Sequence, residues 1–226
     1  IINASKGGKT TRGYYNDFVN WFPKIKNFNP KVFIFYTGIN DSSLKNSKHY
    51  DEIKRDNRYN QLEDYIKNNS IIYEIKNKIQ NKYFGKVRIF YGLYKKDLYE
   101  NFNFINYEEA KIRYNFNNLN SEEITLTNNF KKNLYNLDRK INETKVIPIF
   151  ITQVRFDGIS TKGLFLINEI LKEFCKTRNY DIIKLDEIIK NFNKNDFYDH
   201  THTGVSGSKK ISKILYPYLK NILINY

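Results

Sequence analysis

Two hydrophobic patterns alternate along this chain. The first is the short, unbroken apolar run: Val32 to Tyr36, Lys145 to Val154 ("KVIPIFITQV") and Tyr180 to Leu185 ("YDIIKL"). Runs of β-branched and aromatic residues without polar alternation predict strands buried on both faces, as in a parallel sheet. The second pattern places apolar residues three and four apart and predicts amphipathic helices. It occurs first over 13–29, where Tyr14, Phe18, Trp21 and Phe22 share a face and Pro23 and Pro30 end the helix in stages. It returns from Ser121 to about Glu143, with Ser121 as N-cap and Glu122 and Glu123 in the first turn. A third helix over 160–179 directs Leu164, Ile167, Leu171 and Phe174 at the sheet, and a fourth, from Ser206, packs Ile211, Ile214, Leu215 and Leu219. Strands alternating with helices in this way predict an α/β fold with a parallel sheet and right-handed βαβ units.

The stretch from Ser42 to about Asn142 is less regular. Tyr73, Ile75, Ile79 and Tyr83 give a helical stripe with Gly85 as a C-cap, "KVRIFYGLY" reads as a strand, and 101–120 carries no assignable pattern. The length exceeds one sheet connection, so this stretch reads as an insertion, within a single domain of 226 residues, that could cover a site.

Composition narrows the class. Hydrophobic residues make up 40% and charged residues 27%, which is globular rather than disordered. No apolar run approaches the ~20 residues of a membrane span, so no membrane partner is expected from this segment. The single cysteine, Cys175, excludes an intrachain disulfide and any Cys-pair zinc site. A net charge of +14 raises nucleic acid as a partner, but the lysines are scattered. Their abundance together with Asn, Ile, Tyr and Phe fits an AT-rich coding sequence better than a binding footprint. The chain has no methionine, and "IINAS" reads as the tail of a strand already under way. The expectation is a chain whose beginning lies upstream.

Three polar clusters follow predicted strands or precede the last helix. "NASKGGKTTRG" (3–13) holds Gly8, "TGIND" (37–41) holds Asn40, and "DHTH" (199–202) holds Asp199, His200 and His202. Open α/β sheets bind ligands at the carboxyl ends of their strands. A glycine N–H and an Asn amide are donors of the kind that stabilise an oxyanion. An Asp three residues before a His can fix the imidazole tautomer for general-base work. Each cluster has a plain alternative: a tight turn at Gly8, an Asx turn at Asn40, a polar surface turn at 199–202.

Taken in order, "N…GGKTT", "TGIND" and "DHTH" resemble the SGNH (GDSL-type) hydrolase superfamily across the whole chain outside the middle stretch. The resemblance implies a flavodoxin-like three-layer α/β/α sandwich and hydrolysis of acyl esters, such as O-acetyl groups on carbohydrate, through an acyl-enzyme with no metal or other cofactor. By motif position Gly8 and Asn40 are the implied oxyanion-hole donors, His202 the base and then the acid, and Asp199 its orienting carboxylate. His200 matches no motif position. The family's nucleophilic serine, in a Gly-Asp-Ser at the end of the first strand, has no counterpart. No G-D-S occurs, and neither Ser5 nor Ser42 stands at that place. The expectation is therefore a first strand and a serine upstream of Ile1, with the 226 residues alone inactive. The alternative is a catalytically dead relative that binds carbohydrate or acts as a scaffold. A nucleic-acid-binding protein ranks below both.

Overall fold

The three apolar runs pair into one parallel sheet in the order β1–β2–β3, with β1 Val32–Tyr36, β2 Ile147–Ile151 and β3 Asp181–Ile183. Val32 lies opposite Ile147 and Tyr36 opposite Ile151; Ile149 lies opposite Asp181 and Ile151 opposite Ile183. The computed structural model describes residues 8–43, 103–114, 116–190, 192–193 and 195–224. These fall in one compact unit, Ile1–Asp51 with Asn103–Tyr226; Glu52–Phe102 form a second unit. The helical stripe at 73–83, the strand expected at 86–94 and the strand tail at Ile1 and Ile2 lie outside the described residues.

The helices are α1 Thr11–Asn20, α2 Ile39–Ser42, α3 Tyr107–Arg113, α4 Ser121–Thr144, α5 Lys162–Arg178, α6 Leu185–Ile188 and α7 Val205–Ile224. A 3-10 turn, Phe22–Lys24, follows α1, where Pro23 sits without an N–H to extend the helix. The fold is therefore mixed α/β, with a small parallel sheet and helices packed on it.

The core is aromatic because the strands are. Phe33 and Phe35 of β1 meet Phe18 of α1 and Phe22 of the 3-10 turn, and Phe35 stacks on Phe150 of β2 at 4.9 Å. Such ring pairs add about 0.5–1.5 kcal/mol each beyond the area they bury. From α4, Leu126, Phe130, Leu134, Leu137 and Ile141 close the same core; from α5, Ile167, Ile170, Leu171 and Phe174 do so. Trp21, read as part of the α1 face, is exposed.

Several expectations change on contact with the structure. Ser121 is not the cap of α4. Asn120 is, because only the residue three before Glu123 can exchange hydrogen bonds with it: Glu123 N–H donates to Asn120 Oδ1 at 2.9 Å and Asn120 N–H to Glu123 Oε2 at 3.0 Å. Among the described residues β1 is covered mainly on one face, since Phe35 is buried while Ile34, pointing the other way, is 48% exposed. The described helices pack on the Phe33–Phe35 side, and α7 packs against β3 and α6 instead. On α7, Ile211 is buried, but Ile214, Leu215 and Leu219 are only half-buried. Within the long irregular stretch, α4 is a core helix packed against α1 and α5.

Candidate functional site

Because the strands are parallel, Thr37–Asp41, Thr152–Val154 and Lys184–Asp186 all lie at one edge of the sheet. The first of these segments turns on Gly38, whose φ is +125°. A Cβ there would stand 2.9 Å from Ile167 Cγ2, so glycine alone fits. The turn carries the chain into α2, with Asn40 half-buried and Asp41 buried.

The "TGIND" turn is bound to the Gly8 loop. Asn40 Nδ2 donates to the Lys9 carbonyl at 3.0 Å. Asp41 accepts the Thr11 N–H at 3.1 Å and the Thr11 hydroxyl. Tyr14 OH donates to the Tyr36 carbonyl at 3.2 Å. Gly8 itself has φ +73°, the left-handed conformation that glycine adopts freely. Lys9 is buried against Asp17 and the rings of Tyr14 and Trp21. The structure thus brings Gly8 and Asn40 onto adjoining segments. An amide has two N–H donors. One of Asn40's holds its rotamer against Lys9, and the other has no acceptor among the described residues.

Asp199 and His202 also meet. Asp199 Oδ1 accepts the N–H groups of Thr201 at 2.8 Å and His202 at 2.7 Å, while Oδ2 lies 2.6 Å from His202 Nδ1. Burial by itself pushes the Asp199 carboxyl up, but those two backbone donors and the His202 ring outweigh it and hold it below the usual carboxylate range. An ionised Asp199 can only accept. In the neutral imidazole, Nδ1 is then the nitrogen that carries the proton and Nε2 the one with the lone pair that a base requires. The His202 side chain is 56% exposed and stacks on Tyr198, with ring planes 7° apart. Thr201 Oγ1 lies 3.2 Å from Nδ1, on the Asp199 side of the ring.

The loop after β2 joins the two halves. Gln153 Oε1 accepts the Ile39 N–H at 2.6 Å, and Asn168 of α5 grips Gln153 from both sides, accepting its N–H at 3.3 Å and donating to its carbonyl at 2.8 Å. Three residues on, Phe156 N–H donates to the His200 carbonyl at 3.3 Å, and its ring meets the His200 ring edge-on at 4.9 Å. His200, which matches no catalytic position, is thus the residue by which the 199–202 turn docks on this loop. From below, the turn hangs on Asp196, whose side chain has no exposed surface. Asp196 accepts from Asn193 N–H (2.7 Å), Ser206 Oγ (2.8 Å) and Lys210 Nζ (2.7 Å). Burial pushes its carboxyl up, but those donors prevail and lower it.

Gln153, Asn168 and Asp196 were not singled out by motif reasoning. Asp196 had one legible signal, the Gly204 and Gly207 that follow it. A Cβ on Gly207 would fall 2.1 Å from the Asp196 carbonyl oxygen. At the third strand end, Asp186 accepts from the Thr152 hydroxyl at 2.6 Å and pairs with Lys172 at 3.1 Å. Lys172 also reaches Glu169, Glu187 and the face of Tyr107. This cluster ties α3, α5 and α6 together. Among the described residues no group of three or more His, Cys, Asp or Glu is arranged to hold a metal ion.

No protein-family model matches the chain, and no curated protein and no solved structure matches it either.

Proposed function

We propose that this protein is a serine ester hydrolase of the SGNH type on a flavodoxin-like scaffold, and the Asp199–His202 pair carries the reading. A carboxylate held ionised by two backbone N–H groups, 2.6 Å from Nδ1, leaves Nε2 as an exposed base. In this reading a serine Oγ bonds to the acyl carbon as its proton passes to His202 Nε2. The carbonyl oxygen becomes an oxyanion that accepts from Gly8 N–H and Asn40 Nδ2. His202 returns the proton to the departing alcohol oxygen, and water repeats the sequence on the acyl-enzyme. Asp199 stays ionised throughout. Short acyl esters, including O-acetyl carbohydrate, are the substrate class the reading favours.

One observation favours a second reading, a non-catalytic module on the same scaffold. Among the described residues no hydroxyl is hydrogen-bonded to His202 Nε2; the neighbouring Thr201 lies on the Nδ1 side. The test is fluorophosphonate labelling and acetyl-ester turnover with protein expressed from the whole open reading frame. The expected result is one labelled serine, found by peptide mass, with turnover abolished in His202→Ala and retained within a few-fold in His200→Ala. A protein that takes no label and turns over no ester is the non-catalytic module. Comparable losses from both histidine variants would undo the assignment of the base.

A further inference from the structure

The outward face of α7 has no use in the site. Val205, Tyr216, Leu223 and Ile224 are 75%, 66%, 46% and 69% exposed, although Ile211 on the opposite side is buried. Lys209, Lys213 and Lys220 are exposed on that same outward side, because 205, 209, 213, 216, 220 and 223 follow one another by three or four residues. Lys210, the fourth lysine, turns inward to Asp196. The sequence from His200 to Tyr226 contains no Asp or Glu. The helix therefore presents lysines interleaved with aliphatic and tyrosine side chains and no compensating negative charge.

We infer that the outward face of α7 docks the protein on an anionic lipid surface. Charge complementarity selects an acidic partner, and the aliphatic residues select which kind. Val205, Leu223 and Ile224 find no apolar phase on a nucleic-acid backbone. At a bilayer interface they enter the acyl boundary while lysine stems lie along them and the ammonium groups reach the phosphates. Tyr216 suits the same depth, with an apolar ring and a wet hydroxyl. No helix of the described residues is long and apolar enough to cross a membrane, so the attachment is to one surface.

The test uses the full chain and sedimentation with two vesicle preparations, one pure phosphatidylcholine and one containing a third phosphatidylglycerol. The expected result is binding to the anionic vesicles, little binding to neutral ones, and a fall as salt is raised. Each lysine near an anionic surface contributes about fivefold, so Lys209→Gln, Lys213→Gln and Lys220→Gln together should weaken partitioning on the order of a hundredfold. Leu223→Gln with Ile224→Gln should weaken it at low salt as well, which a purely electrostatic contact would not. Circular dichroism of each variant is compared with the parent, and all five substitutions are on exposed positions. Equal binding to both vesicle types, or full binding by the lysine variant, overturns the inference. So does tight, salt-sensitive binding to duplex DNA that the Leu223/Ile224 variant leaves unchanged while vesicles are not bound.

Discussion

Gly207→Ala should destabilise this protein far more than its position on an exposed helix suggests. The added Cβ would sit 2.1 Å from the Asp196 carbonyl oxygen, 2.9 Å from its carbonyl carbon and 3.1 Å from its Cβ. An ordinary carbon–oxygen contact is a little over 3 Å, so the start of α7 must retreat by about 1 Å, because Asp196 cannot move. Its carboxylate is fully buried, and its carbonyl accepts the Gly204 N–H at 2.8 Å. Retreat of the helix stretches the bonds from Ser206 Oγ and Lys210 Nζ together, since both donors ride on α7. Overpacking alone costs about 1–3 kcal/mol. Weakening charge-assisted bonds to a buried carboxylate brings the expected total to about 3 kcal/mol. With a urea dependence of about 2 kcal/mol per molar, the unfolding midpoint should fall by roughly 1.5 M. Ser206→Ala is the control: it removes one of the bonds without the steric overlap and should cost about 1 kcal/mol. A Gly207→Ala midpoint no lower than that of Ser206→Ala would refute the argument that this glycine is there for the close approach of Asp196.

Asp199→Asn should move the His202 proton from Nδ1 to Nε2, because the new amide can donate to Nδ1; nitrogen shifts of the ring report the tautomer, and an unchanged tautomer would show that Asp199 does not set it. If the protein turns over esters, the same variant should lose roughly 10⁴ in turnover. The pH dependence of stability follows from Asp196. Its carboxyl lies below the usual value in the folded chain, so its contribution is complete above about pH 4–5 and is lost as pH falls through the folded value. Urea unfolding of Asp196→Asn should therefore show a deficit at pH 7 that narrows toward pH 3, and a deficit unchanged over that range would contradict the assignment.

Much of the scaffold was legible because it depends on local pattern. Three apolar runs became the three strands of the described residues, and the helical spacing located α1, α4, α5 and α7. Strand ends were less well placed: "KVIPIFITQV" reads as strand to Val154, yet β2 stops at Ile151. Thr152 and Gln153 look like ordinary strand residues in sequence. Their side chains turn instead to Asp186 and to the Ile39 N–H, partners 34 and 114 residues away. Only the fold supplies those partners. The α3 helix was missed although its signal was local, since Asn106 and Glu109 form the same reciprocal cap as Asn120 and Glu123. The aromatic, Asn-rich setting hid that spacing. A continuous apolar run could not reveal that Ile34 of β1 would stand exposed, because burial of a strand depends on what packs beside it.

The candidate site shows the same division between local and non-local. Asp199 and His202 are three residues apart, and their contact is made by the turn itself, so sequence could propose it. Gly8 and Asn40 are brought to adjoining segments by bonds across 30 or 31 residues, Thr11 to Asp41 and Asn40 to Lys9. What joins these halves is Gln153, Asn168 and the Phe156–His200 contact, none of which has a motif. Each strand in fact ends on a buried polar pair: Asp41 with Thr11 after β1, Gln153 with Asn168 after β2, and Asp186 with Thr152 after β3. Apolar packing would hold these turns more cheaply, because burying a polar group is costly unless its bonds are met. A met bond, however, fixes one direction as well as one distance, and a packed methyl group does not. The turns that follow the three strands are therefore each tied by a bond that fixes direction as well as distance. That is the property a set of reacting groups needs from its scaffold, whichever substrate it meets.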